Sequence, residues 1–183
     1  MSPALQRVVF AVAFGGICVI AGAYCGSANA AAAVAGIASI VNDFVITNYD
    51  LEQHIALFKV TSGVAVTAEA LPQIRADILT TLEDQVLEQQ ETAKRKVTVS
   101  NADIDMELQN VAAERHLSVE QMSAMITAAG TSVDLWRMDI TTRLTWRELI
   151  NERFNMLTSE SDVKEAMENY LRDLRRDAII TRP

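Results

Sequence analysis

Carboxylates at alternating positions are the first feature of this chain that could do chemistry. In Asp103-Ile104-Asp105-Met106-Glu107 three acids alternate with apolar residues, which is how a calcium loop presents its oxygen ligands. Such a loop needs glycine at its sixth position. Leu108 stands there, and Ser100 ahead of it reads as a helix N-cap, so the segment is expected to be a solvated helix face. His54 and His116 have no HExxH spacing and no cysteine partner, and each is expected to be a partly exposed helix residue. Glu83, Asp84, Glu88 and Glu91 could supply a carboxylate pair for acid–base work, but the same pattern describes an ordinary solvated acidic face. Lys94-Arg95-Lys96 reads as a basic cluster that complements the C-terminal end of a helix dipole. There is no glycine-rich phosphate loop and no G-x-S-x-G elbow. The motifs therefore predict no catalytic residue, no metal site and no cofactor.

Charge narrows the partners. Arg7 is the one charged residue before position 31, so the remainder carries 15 basic and 24 acidic residues, a net of −9. A body of that sign repels nucleic acid and anionic lipid surfaces. The first 30 residues read as a signal peptide: Arg7 as the positive region, Val8 to Tyr24 as the apolar run, and Ala28-Asn29-Ala30 as the cleavage site. Retention of the run as a membrane anchor is the rival, disfavoured by its glycines and by the cleavage site. Both cysteines, Cys18 and Cys25, fall in the leader, so the mature chain is expected to have no thiol and to reside, without stable membrane insertion, in a periplasm.

The remaining sequence is read as one mainly α domain over 31–183, a compact bundle of about six helices with a small β-hairpin near its start. Ile37 to Val41 and Phe44 to Thr47 flank Asn42-Asp43, a two-residue turn sequence. Thr47 and Asp50 have capping-box spacing, and Leu51, Ile55 and Phe58 recur at helical intervals up to Gly63. Pro72 suits a first turn, and Leu71, Ile74, Ile78, Leu82 and Val86 make one stripe towards Lys96. A helix capped by Ser100 buries Ile104, Leu108 and Val111. A short one opened by Ser118 and Gln121 points Met122, Met125, Ile126 and Ala129 one way before Gly130. From Val133 to Phe154 apolar residues cover more than half of a helix, which marks it as central. The last helix buries Val163, Met167, Tyr170, Leu171, Leu174 and Ala178, and Ala178-Ile179-Ile180-Thr181 reads as a short strand that extends the hairpin.

These elements carry a resemblance. Ile40, Val41, Asn42, Ile46, Thr47 and Asp50 match a V-V-N-x-x-x-I-T-x-x-D-like hairpin and cap, and Leu82, Leu87, Gln90 and Ala93 an L-x-x-L-I-x-x-x-L-x-x-Q-x-A-like helix. Val99, Ser100, Asp103 and Ile104 match the V-S-x-x-(D/E)-(I/V) cap that follows it. The chain from Ile37 to Phe154 thus resembles the N-terminal domain of the SurA-type periplasmic chaperones, departing from it at Glu83 and Asp84. The segment Tyr170 to Ile180 looks like the C-terminal helix and strand that in this family return to the N-terminal domain.

The resemblance implies a chaperone core, 37–157, closed by the helix and strand of 158–183. In typical members a parvulin-type prolyl isomerase domain, or two, sits between these parts, and a domain needs on the order of a hundred residues. Eight residues separate Phe154 from Val163, so no isomerase activity is expected. What the resemblance then implies is an ATP-independent holdase for unfolded or nascent outer-membrane proteins. Such a role asks for an exposed, adaptable apolar surface, for which methionine is suited. Met122, Met125, Ile126, Leu135 and Met138 are the candidate client-binding residues; the methionines could equally be core fillers. A structural or adaptor subunit is the alternative, its apolar surface occupied by a partner or by a second copy in a homodimer, and a divergent prolyl isomerase is the weaker third.

Overall fold

Asn42 adopts a left-handed conformation, φ 53°, which the hairpin turn at Asn42-Asp43 requires and which asparagine tolerates better than most residues. Around it β1 (Ile37–Val41) pairs antiparallel with β2 (Phe44–Thr47), Val41 opposite Phe44 and Ser39 opposite Ile46, with an irregularity between Ile37 and Ser39. The expected strand at the other end of the chain is present as β3 (Ile180–Thr181), antiparallel to β1, giving the order β2-β1-β3. The computed structural model describes residues 36–157 and 159–183. The expected leader, its cleavage site and both cysteines lie outside the described residues.

Six helices complete the described chain. Thr47 ends β2 and caps α1 (Asn48–Thr61) in a reciprocal box with Asp50, so no linker separates strand from helix and their angle is fixed. Gly63, at φ +69°, takes the chain out of the helix. Pro72 lies in the first turn of α2 (Leu71–Arg95), and Lys96 closes it in a left-handed conformation. Serine caps open α3 (Asn101–Glu114), α4 (Val119–Ala128) and α5 (Val133–Arg153), each accepting a backbone N–H three residues on. Six residues then lead to α6 (Glu160–Asp177). No helix among the described residues is long and apolar enough to cross a membrane.

The interior divides into three apolar clusters, and α5 explains why. Its Trp136, Ile140 and Leu144 pack with Leu108, Met122 and Ile126 of α3 and α4. Further along the helix Trp146, Leu149 and Ile150 face Met167, Tyr170 and Leu171 of α6. A helix that changes partners along its length must be apolar on several sides, as its sequence predicts. The third cluster joins the sheet to α1 and α2 through Val41, Ile46, Leu51, Ile55, Leu82 and Val86. Leu57 rather than Phe58 is the third buried residue of α1, because it leaves the sheet cluster and enters the helical one. Leu71 and Ile74 overhang at the start of the α2 stripe, where no cluster reaches them.

Asp103 and Asp105 lie on an exposed helix face as expected, but Glu83 and Glu91 are not the solvated acids their spacing suggests. Glu83 is 3% exposed and held by Arg182 from the C-terminus, at 2.8 Å through Nε and 2.7 Å through Nη2, with Ser39 Oγ donating at 2.6 Å. Burial works to raise its pKa, but these donors prevail and leave it below the usual carboxylate value. Glu91, also buried, accepts from Tyr170 Oη at 2.5 Å and pairs with Arg95; its pKa too is lowered against the effect of burial. Asp105 and Glu107 of α3 bridge to Arg137 and Arg143 of α5 at 2.6 and 2.8 Å, and Asp103 serves the Ser100 cap. His116 is not helical either: it sits in the turn after α3 at φ 55°.

Candidate functional site

Phe44 opens β2 directly after the hairpin turn, and Tyr49 lies in the first turn of α1. Both are about half exposed, at 51% and 56%, because the sheet cluster beneath is already filled by Ile46 and Leu51. Across from them stand Leu135 and Met138 on α5, with Leu82, Gln85, Val86 and Gln89 of α2 between. Together they line a half-open cleft of about 310 Å3. The serine cap at Ser132 fixes the start of α5 beside it, Oγ accepting the Leu135 N–H at 3.0 Å.

The polar groups of the cleft are tied in place without closing it. Gln53 Nε2 donates to the Gly130 carbonyl at 3.2 Å, and Gln89 Nε2 to Thr142 Oγ1 at 2.9 Å. His54 Nδ1 lies 3.5 Å from Asp139 Oδ2, which orients the ring. The arrangement offers aromatic and thioether contact area, with a few amide groups able to meet a peptide backbone. No group of three or more metal-ligating side chains occurs among the described residues.

The five residues expected to bind clients divide. Leu135 and Met138 line the cleft, and Met138 is 47% exposed. Met125 is 45% exposed but lies outside the cleft lining. Met122 and Ile126 are 0% exposed and pack in the helical cluster beside Trp136, out of reach of any partner in this conformation. Helical periodicity put Met122 and Met125 on one side of α4 but could not say which edge α5 and α3 would cover. Phe44 and Tyr49 are not among the site residues the sequence motifs single out. Their signal was present, since both are aromatic and neither belongs to the stripe that Leu51 and Ile55 define.

On the far side of α2 a second feature stands out. Glu88 lines a cleft with Asp84, Trp146, Arg143, Arg147 and Met167, and its pKa is pushed up to about 7, by burial first and by the Asp84 charge second. Arg175 holds Asp84 from α6.

A mainly α chain with a terminal-strand sheet and an apolar cleft is the class that this fold and site define. The sequence profile of the SurA N-terminal domain matches residues 34–150, and the chain belongs to that family. It is 30% identical over 146 residues to a Chaperone SurA of Legionella pneumophila, covering 76% of this chain and 32% of that protein. A Chaperone SurA of Ralstonia nicotianae is 32% identical over 108 residues, 57% of this chain and 21% of that protein. The chain thus spans about a third or less of the curated relatives it matches.

Proposed function

We propose that this protein is an ATP-independent holdase of the periplasm. In this reading residues 31–183 form one chaperone core that keeps unfolded outer-membrane and other envelope proteins soluble in transit. The observation that carries the reading is the half-open cleft, in which Phe44, Tyr49 and Met138 remain exposed beside a filled core. Large apolar side chains gathered in a concavity mark a binding surface, and a thioether beside aromatic rings suits many client sequences. Membership of the SurA N-terminal domain family, and relatives named as chaperones, support the same reading. The client surface is Phe44, Tyr49, Leu135 and Met138, with Met125 as a separate exposed contact.

Prolyl isomerisation is not part of the proposal, since only residues 154–159 separate α5 from α6. The test is aggregation suppression without nucleotide. An unfolded outer-membrane protein diluted from denaturant should scatter less light in the presence of the purified protein. Unchanged scattering at a several-fold molar excess would replace the holdase with the adaptor reading, in which a dedicated partner fills the cleft.

A further inference from the structure

We infer that the clefts along α1 and α2 favour apolar peptide segments that carry a lysine or arginine. This deepens the holdase reading and rests on it, adding the charge of the ligand. Beside the first cleft lies a second of about 410 Å3, and the two share His54, Leu82 and Gln85 as lining residues. The second has an apolar floor, with Leu57, Phe58, Ile74 and Ile78.

Charge complementarity identifies the occupant. Asp50 borders the first cleft and Asp77 and Asp139 the second, while no lysine or arginine among the described residues lines either one. Arg75, on the same part of α2, is ion-paired with Glu52. Asp50 is committed locally, its Oδ2 accepting the Thr47 N–H and O–H at 2.9 and 2.6 Å. Asp77 is exposed, and Oδ1 accepts from the neutral amide of Gln73 at 2.7 Å. Asp139 Oδ2 faces His54 at 3.5 Å. Asp77 and Asp139 therefore lie beside an apolar floor with no lysine or arginine paired to them. An apolar segment with a basic residue satisfies floor and rim together, whereas a flanking glutamate would meet like charge.

The experiment measures binding of three labelled peptides to the purified protein by fluorescence anisotropy. They share one apolar core and differ in having lysine, glutamine or glutamate as flanking residues. At low ionic strength the lysine peptide should bind about threefold more tightly than the glutamine peptide, and the glutamate peptide more weakly than either. The spread should shrink at about 0.5 M salt, where charges beyond a few ångströms are screened. It should also shrink in Asp77→Asn and shrink further in Asp77→Asn/Asp139→Asn. If the double variant fails to fold, the exposed Asp77→Asn decides alone. Equal affinities for all three peptides would overturn the charge preference and leave the holdase reading intact. Binding of none, in a protein that still suppresses aggregation, would put the client surface elsewhere and overturn the inference; loss of both would overturn the holdase reading itself.

Discussion

Glu83 and Glu88 lie five residues apart on α2 and their pKa values shift in opposite directions, because among the described residues one has side-chain donors and the other has burial and the Asp84 charge. Arg182→Ala leaves Glu83 buried without its main partner. Arg182 is half exposed, so the loss is expected to be about 2 kcal/mol rather than the larger cost of a fully buried pair, read as a lower denaturation midpoint with unchanged slope. A loss below about 0.5 kcal/mol would mean that Ser39 and water suffice. Glu88 works the other way. Its pKa rises from 4.5 to about 7 on folding, so the protonated carboxyl is the favoured native form; its contribution is full below pH 4.5 and is lost as pH rises through about 7. Glu88→Gln should therefore raise stability at pH 8 by roughly 2 kcal/mol and change little at pH 4. Equal gains at both values would show that the effect is packing and not protonation. Glu83 and Glu91, with lowered pKa values, contribute stability above the unfolded carboxylate range that is lost as pH falls through their folded values.

Single helices here depend on what covers them. Tyr170 of α6 stacks on Trp146 at 5.6 Å between ring centroids, meets Phe154 edge-on at 6.3 Å, and has the Arg153 guanidinium 4.4 Å from its ring centre. Leu174 touches both the sheet cluster and the Trp146 cluster, so α6 ties these two clusters through one side chain. Eighteen residues of mostly charged helix would be marginal alone in water. Deletion of Ser161 to Pro183 should expose that strip and lower the melting temperature sharply, and an unchanged melting temperature would show α6 to be dispensable. On α4 and α5 the methionines separate by role. Met122→Ser, in the filled core, should cost about 3 kcal/mol or more, whereas Met138→Ser should leave the melting curve nearly unchanged. These elements were largely legible beforehand: turn residues at Asn42-Asp43, caps at Thr47, Ser100 and Ser118, and the broad apolar arc of α5 each state a local preference. The partners were not. Glu83 reads as solvated until Arg182 arrives from 99 residues away, and Met122 reads equally as surface or core until Trp136 stands beside it.

At the scale of the whole molecule, the sheet joins the first and last strands of the described residues. β3 closes onto β1, the Asn42 N–H donates to the Ile179 carbonyl at 2.8 Å, and Arg182 locks the tail to α2. The hairpin is thereby held so that Phe44 and Tyr49 overhang α2 and α5 as a cleft wall. The candidate site was legible only in part for that reason. Leu135 and Met138 stand out on one helix, but the opposite wall comes from the hairpin, and sequence periodicity does not report which elements face each other across a gap. A protease-coupled assay on proline peptides should show no catalysis above a heat-treated control, and a clear excess would return prolyl isomerisation to the account. The central claim, that this cleft holds unfolded clients, is tested most directly by aggregation suppression with Phe44→Ser/Tyr49→Ser/Met138→Ser beside the unaltered protein. The account predicts that the triple variant keeps its melting curve and loses suppression; a triple variant that folds and still protects the client as well as the unaltered protein would contradict it.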